Sequence, residues 1–159
     1  MNISIAKYSD KNSGDFEALW VSWLTQSMGL QPQPEDLAEV QSPVENYIGN
    51  GGMAFYANNE TNCVGVVAVK KLNTEDYEFC KLVVDEAARG LGLGKKLVQT
   101  CIDFVKEVGG KRLYLQSFHK LEIAVQMYQK MGFTDAPAPD GMLVVDRTEI
   151  IMKMDVSEI

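Results

Sequence analysis

The chain is poor in the residues that build metal centres and covalent crosslinks. It has one histidine, His119, and three cysteines, Cys63, Cys80 and Cys101. The cysteines are odd in number and lack metal-type spacing, so they read as reduced thiols of a cytoplasmic protein. With His119 alone, neither a zinc centre nor a Ser-His-Asp triad finds its parts, and no metal is expected. Long hydrophobic runs are also missing. Val64–Val69 falls far short of the ~20 apolar residues that cross a bilayer, and Met1–Lys7 is not a signal peptide, so no membrane partner is expected. Basic residues are outnumbered: 15 Lys and Arg against 22 Asp and Glu leave a net charge of −7, which argues against nucleic acid as a partner. The same balance is compatible with an amine or other cationic substrate.

What the chain does have is a core's worth of alternating and helical patterns. At 159 residues it reads as one domain, 1–159, with no repeat or linker. Residues 3–8 alternate as a first strand. Phe16, Leu19, Trp20, Trp23 and Leu24 form the stripe of a helix over about 15–28. Shorter helices are predicted over 35–40 and 43–48, the second opened by Ser42-Pro43. Residues 53–57, 63–71 and 77–84 read as three antiparallel strands. A helix follows over about 92–108, then a strand over 111–116, a helix over 121–131, and a closing hairpin of 142–145 with 149–156. The pattern describes a mixed α/β sheet, mostly antiparallel, with helices on both faces.

The most informative stretch is 78–95. An apolar strand ends in Arg89-Gly90-Leu91-Gly92-Leu93-Gly94-Lys95, which opens the long helix. Glycines let a backbone close on an anion, and a helix N-terminus presents free N–H groups and positive dipole to it. A P-loop would require glycine at Arg89 and a hydroxyl at Lys96. A dinucleotide fingerprint would require glycine at Lys95 or Leu97. Neither pattern is met.

The loop instead resembles the pyrophosphate loop of the GNAT superfamily of N-acetyltransferases, with Arg89, Gly92 and Gly94 at the motif positions. Glu78–Val84 resembles the family's fourth strand. Ala124-Val125-Gln126-Met127-Tyr128-Gln129-Lys130-Met131-Gly132-Phe133 resembles its Ala-x-x-x-Tyr-x-Lys-x-Gly-Phe segment. The likeness covers roughly residues 53–133.

The resemblance implies a GNAT-type sheet and acetyl transfer from acetyl-CoA to a primary amine, by direct attack in a ternary complex. It implies that the main chain of Leu82, Val83 and Val84 binds the pantetheine, that Arg89, Gly90, Leu91, Gly92, Leu93, Gly94 and Lys95 hold the pyrophosphate, and that Ser117 touches the pantetheine where an asparagine is usual. Tyr128 would protonate the departing thiolate and contact the cofactor. Glu78 would be the base, directly or through water. His119 reads as an exposed loop residue, and Trp20, Trp23 and Tyr56 as core. A homodimer is compatible with the family. The alternative is an acetyl-CoA-binding sensor without catalysis.

Overall fold

Strands form where valine and aromatic residues alternate or run together, and helices where apolar residues recur every three or four positions. The structure is a computed structural model and describes residues 2–158. Its strands are β1 (Ser4–Lys7), β2 (Met53–Asn58), β3 (Cys63–Lys71), β4 (Asp76–Val84), β5 (Arg112–Ser117), β6 (Thr134–Asp135) and β7 (Ile150–Asp155). They make one sheet in the order β1-β2-β3-β4-β5-β7-β6. All pairs are antiparallel except β4 with β5.

Helices cover both faces, as the sequence predicts. On one face α1 (Asp15–Ser22) and its π-helical continuation (Trp23–Ser27) bury Phe16, Trp20 and Leu24, four residues apart, against Ala54, Tyr56, Val66 and Ala68. The helices α2 (Pro34–Gln41) and α3 (Pro43–Asn46) follow α1, and Val40 of α2 joins that core. On the other face α4 (Leu93–Glu107) buries Leu93, Leu97, Cys101, Phe104 and Val105 against Val67 and Val69. Burying each such side chain contributes about 1.5–3 kcal/mol. The fifth helix, α5 (Glu122–Met131), packs on the same face.

Two departures from the expected pattern shape the molecule. The first is a bulge in β4. Val66 pairs with Val83 and Ala68 with Cys80, so Lys81 and Leu82 together oppose Val67. Lys81 takes the left-handed region at φ 56. The extra residue reverses the alternation. Before it, Phe79 faces α4 and Cys80 faces α1. After it, Leu82 packs with the α4 face, and Val83 and the Lys81 side chain turn to α1 and α2.

The second departure corrects the closing hairpin. Its second arm forms as β7, but residues 142–145 form no strand. The side-chain amide of Gln116 takes their backbone groups. Its Nε2 donates to the Leu143 carbonyl (2.9 Å), and its Oε1 accepts from Val145 N–H (3.2 Å). β7 pairs instead along β5, and with the two residues of β6.

Candidate active site

The parallel pair β4–β5 is ladder-bonded only at its start. Asp76, Tyr77 and Glu78 face Arg112, Leu113 and Tyr114, and pairing then stops. Beyond the bulge β4 stays with β3, while β5 stays with β7 through Ser117, so the sheet parts into a wedge. The edge of β4 turned toward β5 therefore has no strand partner after Glu78. Backbone groups in that position need another partner. A cleft of about 820 Å³ fills the wedge.

One end of the cleft is the glycine loop. Gly90 and Gly92 adopt φ of 81° and 74°, which only glycine takes without strain. The first intrahelical bond of α4 runs from Lys96 N–H to the Gly92 carbonyl (3.2 Å). The N–H groups of Leu93, Gly94 and Lys95 precede it and are open to an anion. Arg89 lines the cleft, and its Nε holds the Val84 carbonyl (3.2 Å), tying loop to strand. Gly90, Gly92, Leu93, Gly94 and Lys95 also line it. Leu91 does not; the residue is 52% exposed.

The middle of the cleft joins β4 to α5. Leu82, Val83 and Val84 form one wall and Ser117 part of the other. Ser117 is 5% exposed, and its Oγ has no hydrogen-bond partner among the described residues. A buried hydroxyl left so is poised for a ligand's polar group. Tyr128 is set by the end of α5. Gly132 turns the chain at φ 110, and Phe133 N–H returns to the Tyr128 carbonyl (3.0 Å). The Phe79 and Phe133 rings pack edge-on to the Tyr128 ring, at 5.5 and 6.1 Å between centroids. Among the described residues its hydroxyl makes no hydrogen bond, and burial pushes the phenol above its ordinary pKa.

Glu78 sits where the wedge begins, 5% exposed. Gln116 Nε2 donates to its Oε2 (3.0 Å). Burial raises its pKa from 4.5, and this outweighs the opposing effects of Lys70, the Gln116 hydrogen bond and Lys81. Above Glu78 lies a charged cluster that the sequence reading missed. Lys81 Nζ meets Asp36 Oδ1 (3.2 Å) and Glu39 Oε1 (3.1 Å), over the Trp20 ring at 5.3 Å. Lys70 Nζ meets Glu39 Oε2 (3.0 Å), and Arg147 Nη2 approaches Asp36 Oδ2 (3.5 Å). Thr148 Oγ1 donates to Gln116 Oε1 (2.7 Å). The one signal for these residues in the sequence is Lys81, a charge inside an apolar strand.

Trp20 and Trp23 line this end as well, Trp20 being core at the same time; Tyr56 is core only, and His119 is exposed. The cleft therefore joins every candidate residue except Leu91.

Residues 17–133 match the model of the acetyltransferase (GNAT) family. An uncharacterized N-acetyltransferase of Schizosaccharomyces pombe is 30% identical over 136 residues, 83% of each chain. Other curated N-acetyltransferases match over about a third to a half of their own length. A GNAT-family acetyltransferase from Staphylococcus aureus Mu50 superposes with a TM-score of 0.89 at 23% identity, over 98% of this chain and 99% of that one. An acetyltransferase from Salmonella typhimurium, solved with its cofactor acetyl-CoA, superposes at 0.77 with 14% identity, over 98% and 95%. These two similarities are of fold.

Proposed function

The chain belongs to the acetyltransferase (GNAT) family, and from that premise we propose that it moves an acetyl group from acetyl-CoA to a primary amine by direct attack in a ternary complex. The observation that carries this reading is the continuous cleft. It runs from the free N–H groups of α4, past the unpaired edge of β4 and the unbonded hydroxyls of Ser117 and Tyr128, to buried Glu78. A pyrophosphate suits the first, the amides of a pantetheine suit the second and the Ser117 hydroxyl, and a reacting sulfur suits the Tyr128 hydroxyl.

Acetyl-CoA supplies an activated acyl group, whose C–S bond breaks as the C–N bond to the amine forms. The chain's own residues do the rest. N–H groups on the open edge of β4 orient the thioester and stabilise charge on its carbonyl oxygen. Glu78 accepts the proton that the amine gives up, directly or through a water. Its raised pKa brings it nearer neutral pH, where a base works best. Tyr128 donates its phenolic proton to the departing sulfur and recovers one from solvent. Phe79 and Phe133 fix its ring for that task. Ser117 binds an amide of the pantetheine.

The test is a thiol-release assay over a broad amine library, run beside calorimetric binding of acetyl-CoA. Acetylation of at least one amine supports the reading. Binding without acetylation of any amine would instead make the chain an acetyl-CoA sensor. Absence of binding would remove both.

A further inference from the structure

With Glu78 set aside, the charges at the acceptor end of the cleft leave a positive surplus in a protein whose net charge is −7. Asp36 and Glu39 supply two negative charges to the cluster. Lys70, Lys81 and Arg147 supply three positive ones. Lys120 and Glu122 also line the cleft and offset one another in charge, Lys120 with its Nζ on the Met28 carbonyl (3.5 Å) and no ion pair among the described residues. Glu78 stands apart from this count, because its charge balances the ammonium of an incoming amine. The surplus positive charge is then left for a second group on the acceptor.

Arg147 is the cation best placed to meet it. One Nη reaches Asp36, and its remaining donors have no partner among the described residues. It is 34% exposed and faces the cleft. A guanidinium in that state presents the fork that a carboxylate fits. Its position is tied to the base. Gln116 bonds Glu78 through Nε2, and through Oε1 it holds Val145 and Thr148, which flank Arg147. Base and cation therefore sit at the two ends of one amide side chain. Trp23, Met28, Leu143 and Val145 line the same end with apolar surface.

Resting on the acetyltransferase reading, we infer that the acceptor is a small zwitterion, an amino acid with an apolar side chain, whose carboxylate is bound by Arg147 while Glu78 receives the proton of its amine. Polyamines and aminoglycosides bring several positive charges to a chamber that already has a surplus, and are disfavoured.

The experiment measures kcat/KM for apolar L-amino acids, their carboxamides, the corresponding decarboxylated amines and spermidine. It uses the full chain and Arg147→Gln and Arg147→Lys. In the parent protein the acids exceed the amides and amines by at least about tenfold. In Arg147→Gln the acids fall at least about tenfold and the amides less than about threefold, so the ratio collapses. Arg147→Lys keeps part of it. Melting temperature and acetyl-CoA affinity show that the variants fold. If they do not fold, the acid-to-amide ratio of the parent decides alone. Amides, decarboxylated amines or spermidine turned over as well as the acids would overturn the inference and leave the acetyltransferase reading standing. Equal losses for acids and amides in Arg147→Gln would overturn the role of Arg147. Acetyl-CoA binding with no transfer to any acceptor would overturn both readings.

Discussion

Tyr128→Phe removes a single oxygen from the cleft and separates the chemistry from the packing. The ring remains between Phe79 and Phe133, at the same 5.5 and 6.1 Å spacings. The lost hydroxyl bonds nothing among the described residues, so no orphaned partner is left behind. Stability should change by less than about 1 kcal/mol, which is a shift in Tm below about 4 °C for a chain of this size. Acetyl-CoA affinity should hold within about threefold. Turnover is different. A general acid contributes about 10²–10⁴-fold. A thiol is far more acidic than an alcohol (about 8.5 for a cysteine side chain), so a departing thiolate leaves tolerably without help and the lower end applies. We expect kcat to fall about 100-fold at pH 7, which is about 2.7 kcal/mol of barrier. The assay is steady-state thiol release at saturating acetyl-CoA, with calorimetry and thermal melts on the same preparation. A folded variant with kcat within threefold of the parent would end the case for Tyr128 as the acid.

Other substitutions probe the remaining parts. Glu78→Gln should lower kcat/KM about 100-fold at neutral pH and flatten the rise of activity with pH, a limb set by a carboxyl held above 4.5. The same variant tests linkage. The native pKa of Glu78 is raised, so its contribution to stability is full below the unfolded value and is lost as pH rises through the native one. The Tm of Glu78→Gln relative to the parent should thus climb between pH 4 and 7.5, and a flat difference would contradict the raised pKa. At Gly92 an added Cβ meets no atom within 4 Å, yet Gly92→Val forces φ 74 on a β-branched residue at the start of α4. Acetyl-CoA KM should rise at least about tenfold with kcat little changed, and an unaltered KM would detach the loop from the cofactor. Gly141→Ala would drive Cβ into the Leu72 carbonyl oxygen at φ +90, displacing the loop that carries Arg147 and Thr148. Denaturant unfolding should show a loss of about 2–3 kcal/mol.

Periodicity in the sequence was enough to find most elements, because each depends on neighbours a few residues away. Phe16, Trp20 and Leu24 declare α1, and the valines of 63–71 declare β3. The bulge at Lys81 was hidden, since Phe79–Val84 reads as an unbroken buried strand and the reversal of its faces depends on pairing with β3. Residues 142–145 carry a strand's composition, and what denies them a ladder is Gln116, 27 residues from Leu143. The residues proposed for the donor could be singled out because the glycine loop and the Tyr128 segment are each an unbroken stretch of chain, and both line the cleft. The charged cluster was not. It is assembled from α2, β3, β4 and the loop before β7, with Lys81 and Glu39 42 residues apart, and no local pattern announces a pair of that separation.

The parting of β4 from β5 also bears on how long the protein lasts. A seam within a sheet leaves peptide groups whose hydrogen bonds depend on whatever occupies the gap. A ligand filling it at a hundred times its Kd would add about 2.7 kcal/mol to the folded state. The supply of that ligand would then govern the amount of folded protein as well as its rate of work, and chains made in its absence would be the first presented to proteases. Amide exchange in the second half of β4, fast in the free chain and slow in the filled one, would report that dependence directly.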